Sequence, residues 1–219
     1  MPRKRFDLIV FDWDGTLMDS TATIVSCIQA AASDLGLPVP DDKSAAYVIG
    51  LDLYGAMQAV LPELDPKTYP RIVERYRYHY LTRDHGLTLF EGVREMLADL
   101  SQQGYFLAVA TGKSRVGLNR ALDAADLMSV FDATRCADET FSKPHPAMLQ
   151  EITRELGQDL SRTVMIGDTT HDLQMAINAG AAGIAVHYGA HGAPELEALN
   201  PVYSATSAVE LHQWLLENA

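Results

Sequence analysis

Two rhythms of apolar and polar positions run through the chain. Short unbroken apolar runs occur at Leu8–Phe11, Phe106–Ala110, Ala133–Cys136, Val164–Ile166 and Gly183–Val186. Runs of this length, bounded by turn-forming residues, read as strands buried on both faces. Between most of them the pattern shifts to a helical period, over about 92–103, 115–125, 145–157 and 171–179. Strand alternating with helix predicts an α/β fold, with a parallel sheet and helices on both faces. In such sheets ligands bind beyond the carboxyl ends of the strands.

One stretch breaks the alternation. From about 19 to 88 no strand is evident, and helical patterns over roughly 20–35, 43–61 and 67–83 are interrupted at Gly36-Leu37-Pro38, Pro40, Pro62 and Pro66. The chain is therefore expected to divide into an α/β core, residues 1–18 and 89–219, and a small helical domain, residues 19–88. Because the insertion leaves from the end of the first strand, it should sit above that end as a lid. Its Ile49–Tyr54 segment lies between helical patterns and is placed to descend, with Gly50 permitting a tight turn. Arg71–Arg83, rich in Arg and Tyr, offers cations for a second anion but reads better as a helix with one face packed and the other solvated. From about 202 the chain reads as a short strand followed by a helix, Ala208–Glu217.

With 219 residues, 47% of them hydrophobic, a sizeable core is available. The net charge of −12 argues against non-specific binding to nucleic acid or to an anionic membrane. It also means that a phosphorylated substrate would need local cations to overcome the global field. No apolar run has membrane-spanning length, and the basic start, Met1–Asp7, leads into a short strand rather than a signal-peptide core. A cytoplasmic location is the resulting expectation. Cys27 and Cys136 lie far apart with no C-x-x-C, so a cysteine zinc site is not expected and two buried thiols are.

The strand ends carry the candidate chemistry. The first runs into Asp12-Trp13-Asp14-Gly15-Thr16. Side chains alternate along a strand, so Asp12 and Asp14 start out pointing the same way and repel unless a cation or a shared proton lies between them. After the second strand, Thr111-Gly112-Lys113 offers a hydroxyl, a free amide and an ammonium to an anion, with Ser114 placed to cap the next helix. In Ser142-Lys143-Pro144-His145-Pro146, the prolines stiffen the backbone around Lys143, and His145 reads as a helix-start residue rather than a ligand. The fourth strand runs into Gly167-Asp168, and Asp172 follows in the first turn of a helix. Each piece alone is an ordinary turn. Together they make a hard-oxygen site suited to Mg²⁺, with Thr111 and Lys143 beside it for phosphate oxygens.

This pattern resembles the phosphatase branch of the haloacid dehalogenase superfamily, and within it the phosphoglycolate phosphatase-like group. The likeness covers the whole chain and rests on Asp12-Trp13-Asp14-Gly15-Thr16, Thr111, Lys143-Pro144, Gly167-Asp168 with Asp172, and on Gly92-Val93 and Ala179-Gly180-Ala181. Trp13 and Phe90-Glu91 depart from the usual pattern away from the catalytic positions. The resemblance implies a Rossmann-like parallel sheet core with an inserted small α-helical cap. It implies hydrolysis of a small phosphorylated metabolite through an aspartyl phosphate on Asp12. Asp14 would move protons, and Thr111, Gly112 and Lys143 would bind the phosphoryl group. Mg²⁺ would be held by Asp12, the backbone carbonyl of Asp14, and Asp168, with Asp172 orienting it. Thr16 favours hydrolysis over a phosphomutase reaction, and Asp14 argues against a dehalogenase. A pyrophosphatase, or a binding protein on a retired phosphatase scaffold, remain as alternatives. Phosphoglycolate is the first substrate the resemblance suggests, with a sugar phosphate or a nucleotide close behind, and a monomer or homodimer is expected.

Overall fold

The computed structural model describes residues 4–219; Met1–Arg3, part of the basic start noted above, lie outside the described residues. In chain order the elements are β1 (Leu8–Phe11), α1 (Thr21–Asp34), α2 (Asp42–Tyr47), α3 (Leu53–Val60), α4 (Tyr69–Arg83), α5 (Val93–Gln102), β2 (Phe106–Thr111), α6 (Arg115–Ala124), β3 (Ala133–Cys136), α7 (Ala147–Leu156), β4 (Thr163–Gly167), α8 (Thr170–Ala179), β5 (Ala182–Val186), α9 (Ala193–Glu197), β6 (Tyr203–Ala205) and α10 (Ala208–Asn218). Among the described residues the strands form one sheet in the order β3-β2-β1-β4-β5-β6, with every pairing parallel.

The apolar runs are continuous because both faces of the sheet are covered. Ile9, Phe11, Leu107, Val109, Val164 and Ile166 pack with α5 and α10 on one face. Leu8, Val10, Ala108, Ala110 and Met165 pack with α7 and α8 on the other. Trp13, fully buried, joins the first of these clusters. From β1 the chain returns to β2 on one side, while β4 flanks β1 on the other. This is the switch point at which an open α/β sheet opens a crevice.

Residues between β1 and α5 form the helical insertion. Its helices bury their own cluster, centred on Ile24, Ile28, Val48, Met57, Tyr69 and Ile72, and among the described residues only Ala190 reaches that cluster from the rest of the chain. The strands leading in and out run side by side: Asp19 N–H donates to Thr88 and Phe90 N–H to Leu17, at 3.0 Å each. The helical pattern over 43–61 divides into α2 and α3. The break comes where the Asp52 side chain accepts from Gly55 N–H and caps a new helix, just after Gly50 turns at φ 92°. α7 starts at Ala147, two residues later than its periodicity indicated, because His145 Nδ1 accepts from Ala147 N–H ahead of the first turn. The short α9, with Pro194 in its first turn, has no counterpart among the sequence patterns. Cys27 and Cys136 are both buried and unpaired with each other.

Candidate active site

The carboxyl ends of β1, β2 and β4 meet at the switch point, and each delivers its polar residues there. Asp12 N–H donates to Ile166 O at 2.9 Å, which extends the β1–β4 ladder by one residue and points Asp12 out of the sheet end. The turn that follows requires Gly15. Its φ of 81° is left-handed, and a Cβ there would lie 2.2 Å from an Asp168 carboxylate oxygen. Thr16, which closes the turn, donates its hydroxyl to Asp168 Oδ1 at 2.8 Å, and Ala190 N–H donates to Oδ2 at 2.7 Å. Asp172 is held in a capping box: its carboxylate accepts from Thr169 N–H and Oγ–H, while Thr169 Oγ accepts from Asp172 N–H.

These constraints converge three buried carboxylates. Asp12, Asp168 and Asp172 each bring an oxygen within 4.8 Å of the others. Lys143 Nζ lies 2.7 Å from Asp12 and 2.7 Å from Asp172, and its side chain is wholly buried. Burial, reinforced by Asp172 and Asp168 and opposed by Lys143, pushes Asp12 well above the ordinary carboxylate range. Burial and Asp172 push Asp168 up to about 7. Burial works against the Lys143 ammonium, but Asp12 and Asp172 outweigh it and raise its pKa. With all three ionised, three carboxylates against one ammonium would leave an excess of two negative charges at a buried site. Among the described residues, Asp12 Oδ2 is buried with no hydrogen-bond donor. Such an arrangement fits a divalent cation, and its all-oxygen donors suit Mg²⁺.

Asp14 is set apart from that cluster. Its carboxylate accepts from Lys113 Nζ at 3.1 and 2.9 Å and from Ser20 Oγ at 2.8 Å. Lys113, expected to help cradle an anion, is thus committed to Asp14, and also donates to the Tyr80 hydroxyl of α4 at 2.9 Å. Thr111 is buried at the end of β2, and its Oγ accepts from Lys113 N–H at 3.2 Å. Gly112 lies beneath the insertion, where a Cβ would meet Leu51 O at 2.4 Å and Gly50 O at 2.6 Å. The Ile49–Tyr54 segment therefore rests directly on the site, and Asp52 N–H donates to Ser142 Oγ at 3.0 Å beside Lys143.

The structure thus brings Asp12, Asp14, Thr111, Gly112, Lys143, Asp168 and Asp172 to one end of the sheet. Sequence reasoning missed Ser20 and Tyr80. Ser20 stands at an ordinary helix start, and Tyr80 is one aromatic among several on a helix whose periodicity says only which face packs. The Arg71–Arg83 stretch is mainly structural. Arg75 and His79 both hold Asp34 on α1, while Tyr76 and Tyr80 stack, 5.9 Å between centroids.

Comparison with known proteins agrees with this geometry. The family model for haloacid dehalogenase-like hydrolases matches residues 9–186. A Dickeya dadantii protein named "Probable phosphatase IndB" is 41% identical over 89% of this chain and 86% of its own length. A phosphoglycolate phosphatase of Agrobacterium fabrum is 32% identical over 87% of this chain and 84% of its own. Among solved structures, a haloacid dehalogenase family hydrolase of Deinococcus radiodurans, with bound phosphate and sodium, superposes with a TM-score of 0.76 at 26% identity, covering 98% of this chain and 97% of that one.

Proposed function

From the premise that this chain belongs to the haloacid dehalogenase-like hydrolases and is a phosphatase of that family, we propose that it is Mg²⁺-dependent and hydrolyses a small-molecule phosphomonoester through a phosphorylated Asp12. The observation that carries the reading is the buried charge imbalance at the sheet end, with one Asp12 oxygen lacking a hydrogen-bond donor.

Asp12 is the nucleophile. A carboxylate is nucleophilic at neutral pH without a base, and the sheet end holds this one against the crevice. Its oxygen bonds to phosphorus as the ester P–O bond breaks. Asp14 protonates the departing oxygen, then takes a proton from the water that cleaves the acyl phosphate and restores Asp12. Lys113 and Ser20 fix the Asp14 carboxyl in place for both proton transfers. Lys143 fixes the nucleophile, and Thr111 and the Gly112 amide bind phosphoryl oxygens whose charge spreads during transfer. Asp12, Asp168 and the backbone carbonyl of Asp14 would hold Mg²⁺, and Asp172 would orient it through the shared Lys143. Bound there, the cation would offset repulsion between the anionic nucleophile and an anionic phosphate. The Deinococcus relative, solved with phosphate and a cation, supports both ligand classes.

The test is phosphate release from p-nitrophenyl phosphate. EDTA should abolish it and Mg²⁺ restore it, and acid quenching should trap a phosphorylated Asp12 peptide. An Asp12→Asn protein with full Mg²⁺-dependent turnover would falsify the scheme.

A further inference from the structure

A cavity of about 720 Å³ opens directly from Asp12, Asp14, Thr111 and Gly112 into the space between the sheet end and the helical insertion. Its size falls within the ordinary range for organic ligands. Its wall is apolar: Ile24, Ile28, Val48, Leu53, Met57 and the ring of Tyr76 face the space. Apolar groups reach the rim as well, where Leu81 is 46% and Val116 80% exposed.

Its cations are few and mostly committed. Lys113 is paired with Asp14 and Arg120 with Asp84. Arg77 stands at the exposed rim. A short acidic leaving group such as glycolate would therefore find no free ammonium or guanidinium deep in the cavity, and would leave most of an apolar space to water. Burying a carboxylate against such a wall is unfavourable, whereas burying a ring or an alkyl chain is favourable. The Tyr76–Tyr80 stack supplies an aromatic surface on the way from the rim to Asp14.

We infer that the alcohol released by this enzyme is bulky and largely apolar, an arylalkyl or aryl group rather than a short hydroxy acid, and that Tyr76 is a specificity-determining residue. This deepens the phosphatase reading above and rests on it. The substrate phosphate occupies the sheet end, and the organic group fills the insertion's cavity.

The test compares kcat/KM with Mg²⁺ for 3-phenylpropyl phosphate, propyl phosphate and phosphoglycolate. The first two share their leaving-oxygen chemistry, so their ratio reports the ring. We expect 3-phenylpropyl phosphate to lead propyl phosphate by about tenfold or more, mainly through KM. Tyr76→Ala should bring the two within about threefold, again through KM with kcat little changed. A preference for phosphoglycolate, or equal values for the two alkyl esters, overturns the inference while leaving the reaction intact. If no ester turns over, the reaction reading fails. The cavity is then tested by calorimetry with 3-phenylpropylphosphonate and phosphonoacetate: tighter binding of the former upholds the inference, and equal or weaker binding overturns it.

Discussion

The end of the parallel sheet and the helical insertion above it are built on opposite principles. At the sheet end, charged groups are buried and almost every atom is held: Asp168 by Thr16 and Ala190, Asp172 by Thr169, Asp14 by Lys113 and Ser20. The insertion offers aliphatic and aromatic surface, and its apolar core is nearly separate from that of the sheet. Its polar contacts to the rest of the chain include those at Ser142, Lys113, His171 and His191 and the ion pairs with Arg120 and Glu195. The first region fixes a reaction, because misplacing a buried charge is expensive. The second is held together mainly by its own apolar core, so most of its side chains lie outside the buried charge cluster. On the proposed reading, chemistry and selectivity are carried by separable parts of one chain.

The sharpest way to break this comparison is at the sheet end. Asp12→Asn should lower phosphate release by about a thousandfold or more, as loss of a covalent nucleophile does. The same change removes one of three crowded carboxylates, so the metal-free protein should melt at an equal or higher temperature. A fall in both activity and melting temperature would mean that Asp12 is structural.

Lys143→Met should show the reverse sign in stability. It leaves Asp12 and Asp172 buried without a cation, and a loss of about 3–5 kcal/mol is expected in urea unfolding without metal. Metal comes next. If the excess charge is a Mg²⁺ site, unfolding free energy should rise by about 2.7 kcal/mol when Mg²⁺ is raised to a hundred times its dissociation constant. In the Asp168→Asn variant that gain should shrink.

Contacts that cross between the two regions should matter less. Tyr80→Phe removes the hydroxyl that accepts from Lys113, and kcat should fall about fivefold, equivalent to roughly 1 kcal/mol. The smallest expected effect lies at His191. Thr170 N–H donates to its Nδ1, so its Nε2–H is the donor to Tyr47 O, and burial depresses its pKa. A depressed folded-state value means that the unfolded chain takes up the proton first. Stability from this group is full above the unfolded pKa, near 6.5, and is lost as pH falls through the folded value. Between pH 7.5 and 5, His191→Gln should lose less stability than the parent in urea titrations.

Much of the sheet end is legible in the sequence because Asp12, Thr111 and Asp168 sit one or two positions past an apolar run, where strand periodicity and turn chemistry fix their place. Asp12 after Phe11, Thr111 after Ala110 and Asp168 after Gly167 all follow that logic. Lys143 is the partial exception. Its proline neighbours mark it as held, but nothing local says that it reaches Asp12 and Asp172 across the sheet. Lys113 looks like a phosphate ligand in sequence and becomes the partner of Asp14 in the fold, since an ammonium near several anions pairs with the nearest.

By itself, the sequence determined the alternation of strand and helix, the place of the helical insertion and the identity of the charged groups. These depend on periodicity, turns and residue chemistry, all local properties. Only the tertiary structure decided how many negative charges share one ammonium, that Tyr80 reaches Lys113, and that the surface above the aspartates is apolar. Those facts depend on distances between segments far apart in the chain, and burial turns such distances into large energies.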